Sequence, residues 1–434
     1  MFQANRTSKI QIDKMNRVYV TGIGFITSIG NSVSDIVNSL LHMKSGIAIH
    51  PELEREDCPV KVAGTIKGFE TSEIDPEDWI YPQEYQIRRE ILRSFSPHVL
   101  YAWCAMQQAI KSAGLQPDDI SNPDTGIYTA SGGSMGRIHH HLNKMKNHGV
   151  MSCNPMGIVA SISGTLSFNL VSSLKIRGFS CGQVSACASS GHSLGFAFDE
   201  IRRNRQKRMF VVGAEDCDFS SIAPFCGMRA LSLNPNPAHA SKPFDVNRQG
   251  FVSTGGGTVL VLESEGEVDR RGVQPYAEIT GWGQGSDGHN VAISHPEGAG
   301  LIDAIRRAIE DSGLSLEDIG YINAHATGTP IGDLSEIKAI RSVFGDLVKT
   351  IPISSTKAIT GHGLSLSSVM EAGFCCASLR EGILPGSANI DKIDPEAENF
   401  NIIRETVKSS PGYILSNSSG FGGANVSVIF KRVN

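Results

Sequence analysis

A chain of 434 residues with 46 glycines and 40% hydrophobic residues is long enough for two cores and has the composition of a compact enzyme, which excludes a disordered or disulfide-stapled protein. A formal net charge of −5 provides no general field for nucleic acid, and nine cysteines without a CxxC pair read as reduced thiols of a cytoplasmic protein. No apolar run approaches the roughly 20 residues that span a bilayer, and the N-terminus lacks the apolar core of a signal peptide, so membrane insertion is not expected.

Residues 1–15 are polar and read as a disordered extension outside the fold. From Asn16 a β-branched run, Arg17-Val18-Tyr19-Val20-Thr21-Gly22, leads into a helix-like stretch over 32–42. Strands of the same kind are predicted at 126–129, at 179–185 ahead of a helical stretch over 188–203, and at 209–212. Strand and helix alternate, which is α/β logic. The glycine turn and buried strand at 255–263 are echoed at 422–430, and Tyr276-Ala277-Glu278-Ile279-Thr280-Gly281 echoes the opening strand. The chain therefore reads as two related halves, 16–275 with the candidate nucleophile and 276–434 with two candidate histidines, divided after a charged, turn-like stretch at 265–272. In this register 185–192 corresponds to 360–364, and a pseudo-twofold would bring Cys187 and His362 together.

Cys187 ends a strand-like run and opens the small-residue stretch Ala188 to Gly191, where a helix N-terminus would stabilise a thiolate and an oxyanion. A cysteine taken alone is more often a buried structural residue. His325, in Asn323-Ala324-His325-Ala326-Thr327, and His362, in Thr360-Gly361-His362, change that balance. A thiol holds an acyl group as a thioester while imidazoles donate to an enolate. Lys357 falls in a strand-like stretch of small and apolar residues and needs a carboxylate partner, for which Glu336 is a candidate; a structural ion pair explains both residues equally well.

Other motifs carry less. The run His139-His140-His141 has no further ligand at metal spacing and reads as a solvated helix, and His192 reads as a core histidine. Gly178-Phe179-Ser180-Cys181-Gly182 matches the pattern of a serine hydrolase elbow but falls inside a predicted strand. Gly22-Ile23-Gly24 lacks the third glycine of a dinucleotide site. The basic run at 202–208 suits a helix C-terminus, whereas Arg88, Arg89 and Arg93 suit either a solvated helical face or the docking of an acidic carrier protein.

The motif Ser185-Ala186-Cys187-Ala188-Ser189, the segments Lys242-Pro243-Phe244-Asp245 and Arg248-Gln249-Gly250-Phe251-Val252, and the stretch 339–346 resemble the elongating β-ketoacyl-acyl carrier protein synthases of the thiolase-like superfamily. The similarity runs from about Asn16 to the C-terminus. It implies a duplicated thiolase-like α/β fold in five αβαβα layers and a homodimer, or a heterodimer with a related subunit. It implies that Cys187 is the nucleophile, that His325, His362, Lys357 and Glu336 complete the site, and that Thr327 and Thr329 bind a phosphopantetheine arm. Gly420, Phe421, Gly422 and Gly423 would form the gate, with Ser419 in place of a usual phenylalanine, and the N–H groups of Cys187 and Phe421 would form the oxyanion hole. The implied reaction condenses an acyl thioester with malonyl-acyl carrier protein, in fatty-acid or specialised polyketide or polyene synthesis, without a metal or redox cofactor.

The chain departs from that pattern at Ala326, where a glycine is usual, and at 363–368, where Gly-Leu-Ser-Leu-Ser-Ser replaces Ser-Leu-Gly-Ala-Ala-Gly. Ser419 and the 363–368 change lie beside the expected pocket and imply an unusual substrate preference. A thiolase would need a second cysteine where Ser418 and Ser419 stand, and a chain-length subunit would lack Cys187. A partner-dependent or non-elongating ketosynthase and, less so, a serine hydrolase remain the alternative readings.

Overall fold

The structure, a computed structural model, describes residues 15–433, so the extension read over 1–15 lies, Met15 apart, outside the described residues. β1 (Val18–Ile26) is buried throughout and is followed by Ser32, whose hydroxyl accepts from the Asp35 N–H to start α1 (Val33–Leu41). The longer elements of the first half continue as α2 (Pro97–Ala113), β2 (Thr125–Ala130), α3 (Met135–His148), α4 (Thr165–Leu174), β3 (Ser180–Gln183), α5 (Ser189–Arg202), β4 (Arg208–Glu215) and β5 (Gly256–Ser264). The second half follows as β6 (Ala277–Ser286), α6 (Ala299–Ser312), β7 (Ile319–Asn323), α7 (Pro330–Phe344), β8 (Ile353–Ser354), α8 (Ser367–Glu381), β9 (Tyr413–Gly420) and β10 (Ala424–Lys431).

These strands pair in the order β8-β7-β9-β10-β6-β1-β5-β4-β2-β3. Outward from the centre the first half reads β1-β5-β4-β2-β3 and the second β6-β10-β9-β7-β8, the same path taken twice. In each leaf the inner pairs are antiparallel and the outer pairs parallel. Among the described residues the strands of the two leaves pair where Val18, Tyr19 and Val20 of β1 meet Ile279, Glu278 and Ala277 of β6.

Three hydrophobic clusters separate the layers. Leu260 and Leu262 of β5 point into a central cluster with Leu194 and Phe198 of α5, Val369 and Phe374 of α8, and Val426 and Phe430 of β10. Their neighbours Val259 and Val261 point the other way, onto Val99 and Ala102 of α2. An outer cluster on the second half holds Leu301 and Ile305 of α6 with Ile337 and Ile340 of α7. The order is helix, sheet, helix pair, sheet, helix, which is the duplicated five-layer αβαβα arrangement.

Glycines set the depth at which the outer helices sit. A Cβ at Gly24 of β1 would lie 1.8 Å from the Ala105 carbonyl oxygen of α2, and one at Gly283 of β6 would lie 2.2 Å from the Ala304 oxygen of α6. The Thr-Gly-X-Gly echo between the halves is thus the imprint of one helix-on-sheet contact made twice.

Three expectations need correction. The stretch 265–272 is a helix, Glu265–Arg271, with acids in its first turn, arginines in its last and Gly272 in the left-handed conformation as its stop. Lys357 does not lie in a strand: β8 ends at Ser354, and Lys357 opens a short helix, Lys357–Thr360. Arg208 leaves the basic surface run as the first residue of β4, buried against Glu263 and Glu267.

Gly24→Ala is expected to lower stability by about 2 kcal/mol or more through overpacking. Gly266→Ala, in a helix with open space at the added Cβ, is expected to raise stability by about 0.5–1 kcal/mol. Urea unfolding midpoints at unchanged slope check both.

Candidate active site

After β3 the chain enters a tight turn before α5. Ala186 holds a φ of 50°, a left-handed conformation that a non-glycine residue adopts at a cost. The turn is held by Ala188 N–H donating to Ser185 O (3.2 Å), by Ser189 N–H donating to Ala186 O (3.1 Å), and by the Ser189 hydroxyl accepting from Ser185 N–H (2.8 Å). Cys187 sits in this turn, 7% exposed, at the N-terminus of a 14-residue helix. Gly420, at the end of β9, presses on the same turn: a Cβ there would meet Ser185 O at 2.8 Å and Cys187 N at 2.9 Å. Only glycine admits this approach, which sets the Phe421 peptide beside Cys187.

The two histidines come from the other half. His362 N–H donates to Val252 O (2.6 Å) and His362 O accepts from Thr254 N–H (3.0 Å), so its backbone is clamped to the segment before β5. Its Nε2 lies 3.0 Å from Cys187 Sγ and its Nδ1 2.9 Å from Ser367 Oγ. His325 follows β7, where Glu336 of α7 accepts from the backbone N–H groups of His325 (2.9 Å) and Ala326 (2.7 Å). The imidazoles meet edge to face at 5.2 Å, and His362 meets Phe251 at the same distance. One donor atom from each of Cys187, His325 and His362 lies within 4.8 Å of the others.

Glu336 is therefore not the partner of Lys357. The buried Lys357 ammonium pairs with Glu371, a buried carboxylate on α8. Glu371 escaped the sequence reading, although a lone acid in Val369-Met370-Glu371-Ala372-Gly373-Phe374 on a buried helix was a signal that a cation must face it.

Burial dominates the electrostatics. It pushes the Cys187 thiol up to about 12, with Lys357 opposing, so the helix N-terminus does not lower the resting thiol as expected. Burial and then Lys357 hold His325 and His362 well below the ordinary histidine value. At neutral pH the site therefore holds a thiol and two neutral imidazoles. Burial likewise raises Glu336 to about 7, against the two backbone N–H bonds it accepts.

A cavity of about 530 Å³ opens above this cluster. Thr327 and Thr329 line it and bond to each other at 3.1 Å, and Phe251, Leu364, Ser419 and Phe421 form other parts of its wall. Gly420 and Gly423 also border it, and Gly422 and Gly423 each hold a φ of 76° beside the exposed Phe421.

The remaining candidates lie elsewhere. Arg88, Arg89 and Arg93 are exposed, with Arg89 and Arg93 both paired to Glu77 and Arg88 to Glu90. His139, His140 and His141 lie on α3, a helix without a buried residue. His192 is only partly buried and bonds the Ser185 hydroxyl at 2.8 Å, next to the nucleophile turn and not deep in the core. Ser180 is exposed in the edge strand β3, so the hydrolase pattern does not form an elbow.

Comparison with known proteins points one way. Residues 15–267 match the family model described as beta-ketoacyl synthase, N-terminal domain, and residues 276–391 match the corresponding C-terminal domain. The chain is 37% identical to 3-oxoacyl-[acyl-carrier-protein] synthase 1 of Haemophilus influenzae, over 97% of this chain and 100% of that one. It is 32% identical to 3-oxoacyl-[acyl-carrier-protein] synthase 2 of Staphylococcus aureus, over 96% and 98%. Among solved structures, a beta-ketoacyl synthase from Burkholderia phymatum superposes with a TM-score of 0.88 at 29% identity, over 97% and 100%. The ishigamide ketosynthase/chain length factor superposes with a TM-score of 0.85 at 27% identity, over the same shares.

Breaking the buried ion pair on one side, by Lys357→Met or Glu371→Gln, is expected to cost about 3–5 kcal/mol, while Lys357→Met with Glu371→Met recovers much of the loss. A double-mutant cycle in denaturant measures it. Between 4.5, the ordinary carboxyl value, and about 7 the folded protein keeps a Glu336 proton that the unfolded chain has lost. Glu336 therefore makes stability fall as pH rises through that window, and Glu336→Gln should flatten the slope in unfolding series across those pH values.

Proposed function

The chain belongs to the beta-ketoacyl synthase family, and on that premise we propose that it condenses an acyl group held on Cys187 with malonyl-acyl carrier protein to give 3-oxoacyl-acyl carrier protein. The observation that carries this reading is the buried contact of Cys187 Sγ with His362 Nε2, with His325 alongside, at a cavity of about 530 Å³.

The acyl donor's thioester bond breaks as the Cys187 thioester forms, and the thiol proton leaves with the carrier's sulfur. Malonyl-carrier protein then enters and loses carbon dioxide. The electron pair of the broken carbon-carbon bond becomes an enolate, which attacks the thioester and expels Cys187 as a thiolate as the new bond forms; a proton taken up from solvent returns the thiol. The N–H groups of the neutral imidazoles are suited to hold the enolate oxygen, and those of Cys187 and Phe421 the oxygen of the tetrahedral intermediate. Thr327 and Thr329 are the hydroxyl pair for the phosphopantetheine arm, which arrives on the carrier. A metal bound by Cys187, His325 and His362 would occupy the sulfur needed for acyl transfer, so the proposed steps are written without one. Lys357 and Glu371 set the field around the cluster, and Glu336 holds the His325 loop.

The carrier would dock by charge. Arg93 shares a depression with Arg137 and Lys144 and with the acids Asp75 and Glu77, next to Arg88 and Arg89; Glu77 already pairs with Arg89 and Arg93, so Arg137 and Lys144 carry the charge that would suit an acidic helical partner. Self-association is supported by β3, an exposed edge strand flanked by Phe168, Phe179 and Val184, near the exposed Leu142, Met151 and Ile158. We read the assembly as a cytoplasmic homodimer through this face. A related subunit such as a chain length factor is the second reading, favoured by the structural likeness to a ketosynthase/chain length factor pair. Ser419 in the cavity wall leaves more room at the gate than an aromatic would and suits a bulkier or more polar acyl chain than a short saturated one.

Intact-mass analysis with a panel of acyl-carrier proteins should show an acyl adduct that Cys187→Ala abolishes and that malonyl-carrier protein discharges as a 3-oxoacyl product. A folded wild type that accepts no donor would overturn the self-sufficient synthase. Phe179→Asp, at the edge face, should shift the protein to a monomer in light scattering; a dimer that persists places the interface elsewhere.

A further inference from the structure

The two active-site histidines differ in what their far nitrogens meet. His325 Nδ1 is buried and has no hydrogen-bond partner among the described residues, whereas His362 Nδ1 lies 2.9 Å from the Ser367 hydroxyl. Ser367 is the first residue of α8 and is fully buried, and His362 is 3% exposed. Water does not compete for this bond. With the His362 backbone clamped to Val252 and Thr254 and its ring against Phe251 and His325, hydroxyl and imidazole fix each other's orientation.

A neutral imidazole carries one ring proton, and the direction of this bond decides where. If Ser367 accepts from Nδ1–H, its own hydroxyl hydrogen needs a second acceptor in a dry shell. Among the described residues the partner that Oγ meets is Nδ1 alone. The neighbouring serines are engaged elsewhere: Ser365 donates to Glu215, and Ser368 donates to Cys187 O at 3.2 Å. If Ser367 instead donates to Nδ1, its hydrogen is satisfied and only an oxygen lone pair goes unused, which costs less than a buried unpaired donor. The ring proton then stays on Nε2, 3.0 Å from Cys187 Sγ.

We propose that Ser367 is a positioning residue that fixes His362 in its Nε2–H form, making the ring a standing hydrogen-bond donor toward Cys187 and toward the extender oxygen that takes its place. His325, with no such partner, has no side-chain lock on its tautomer. The role at the extender oxygen rests on the condensing reading; the tautomer itself does not.

The test is a two-bond proton-nitrogen correlation spectrum of the full-length protein labelled with 15N-histidine, with His362→Gln assigning the signals. The wild type should show the Nε2–H form. Ser367→Ala should show a mixture or the Nδ1–H form, and Ser367→Thr should restore the original. In parallel, kcat for malonyl-carrier decarboxylation should fall about 10- to 100-fold in Ser367→Ala with KM unchanged, and recover in Ser367→Thr. A wild-type spectrum with the proton on Nδ1 overturns the proposal even if no variant folds. A Ser367→Ala protein that keeps both the tautomer and the rate overturns it as well. A wild type that shows the Nε2–H form but neither decarboxylates nor condenses leaves the lock standing and removes the condensing function.

Discussion

The first turns of α5 and α8 are tied to each other across the pseudo-twofold, and the site depends on that tie. Ser190 of α5 accepts from Val369 N–H of α8 at 3.0 Å, and Ser368 of α8 donates to Cys187 O at 3.2 Å. Each half thus satisfies a backbone group at the other's helix start, in a layer where water cannot do so. Small residues permit the approach: a Cβ on Gly191 would lie 3.1 Å from Ser368 Oγ, and one on Gly195 would lie 2.1 Å from the Trp282 ring. Two helix N-termini fastened this way put Cys187 and His362 in one place without a flexible loop.

The same burial explains why the site is neutral at rest. Sheets on both sides of the central helices remove water from Cys187, His325 and His362, which disfavours every charged form. The Lys357 and Glu371 pair is the exception and is tolerated because each charge has its partner within the layer. Its ammonium opposes the burial effect on the thiol and adds to it on the histidines, so one buried cation bears on all three groups.

The serines after His362 alter the character of this layer. Ser365, Ser367 and Ser368 reach Glu215, the His362 ring and the Cys187 carbonyl respectively, so a segment that small apolar residues could fill serves here as a polar brace around the nucleophile. Glu215, raised to about 7 by burial, also accepts from Gly132 N–H and so ties this brace to the loop after β2. The geometry around Cys187 and the packing of the core are one network at this point.

Local pattern by itself determined much of this protein. The echo of the opening strand at 276–281, the repeated glycine turn and strand, and the β-branched runs each report a contact made within a few residues or made twice, so the two halves and their α/β order were legible, as was the convergence of Cys187 with His362. Periodicity failed where partners lie far apart in sequence or where a short segment is held from outside. Nothing near Arg208 announces Glu263, the lone acid at Glu371 signals a cation without saying which, and the helix at Lys357–Thr360 is too short to display a period. The tertiary structure alone decided which carboxylate meets which cation, that burial outweighs the helix N-terminus at Cys187, and that Ser367 faces His362. Each of these depends on the distance and dryness created when two sheets close over one pair of helices, and neither quantity exists along the chain.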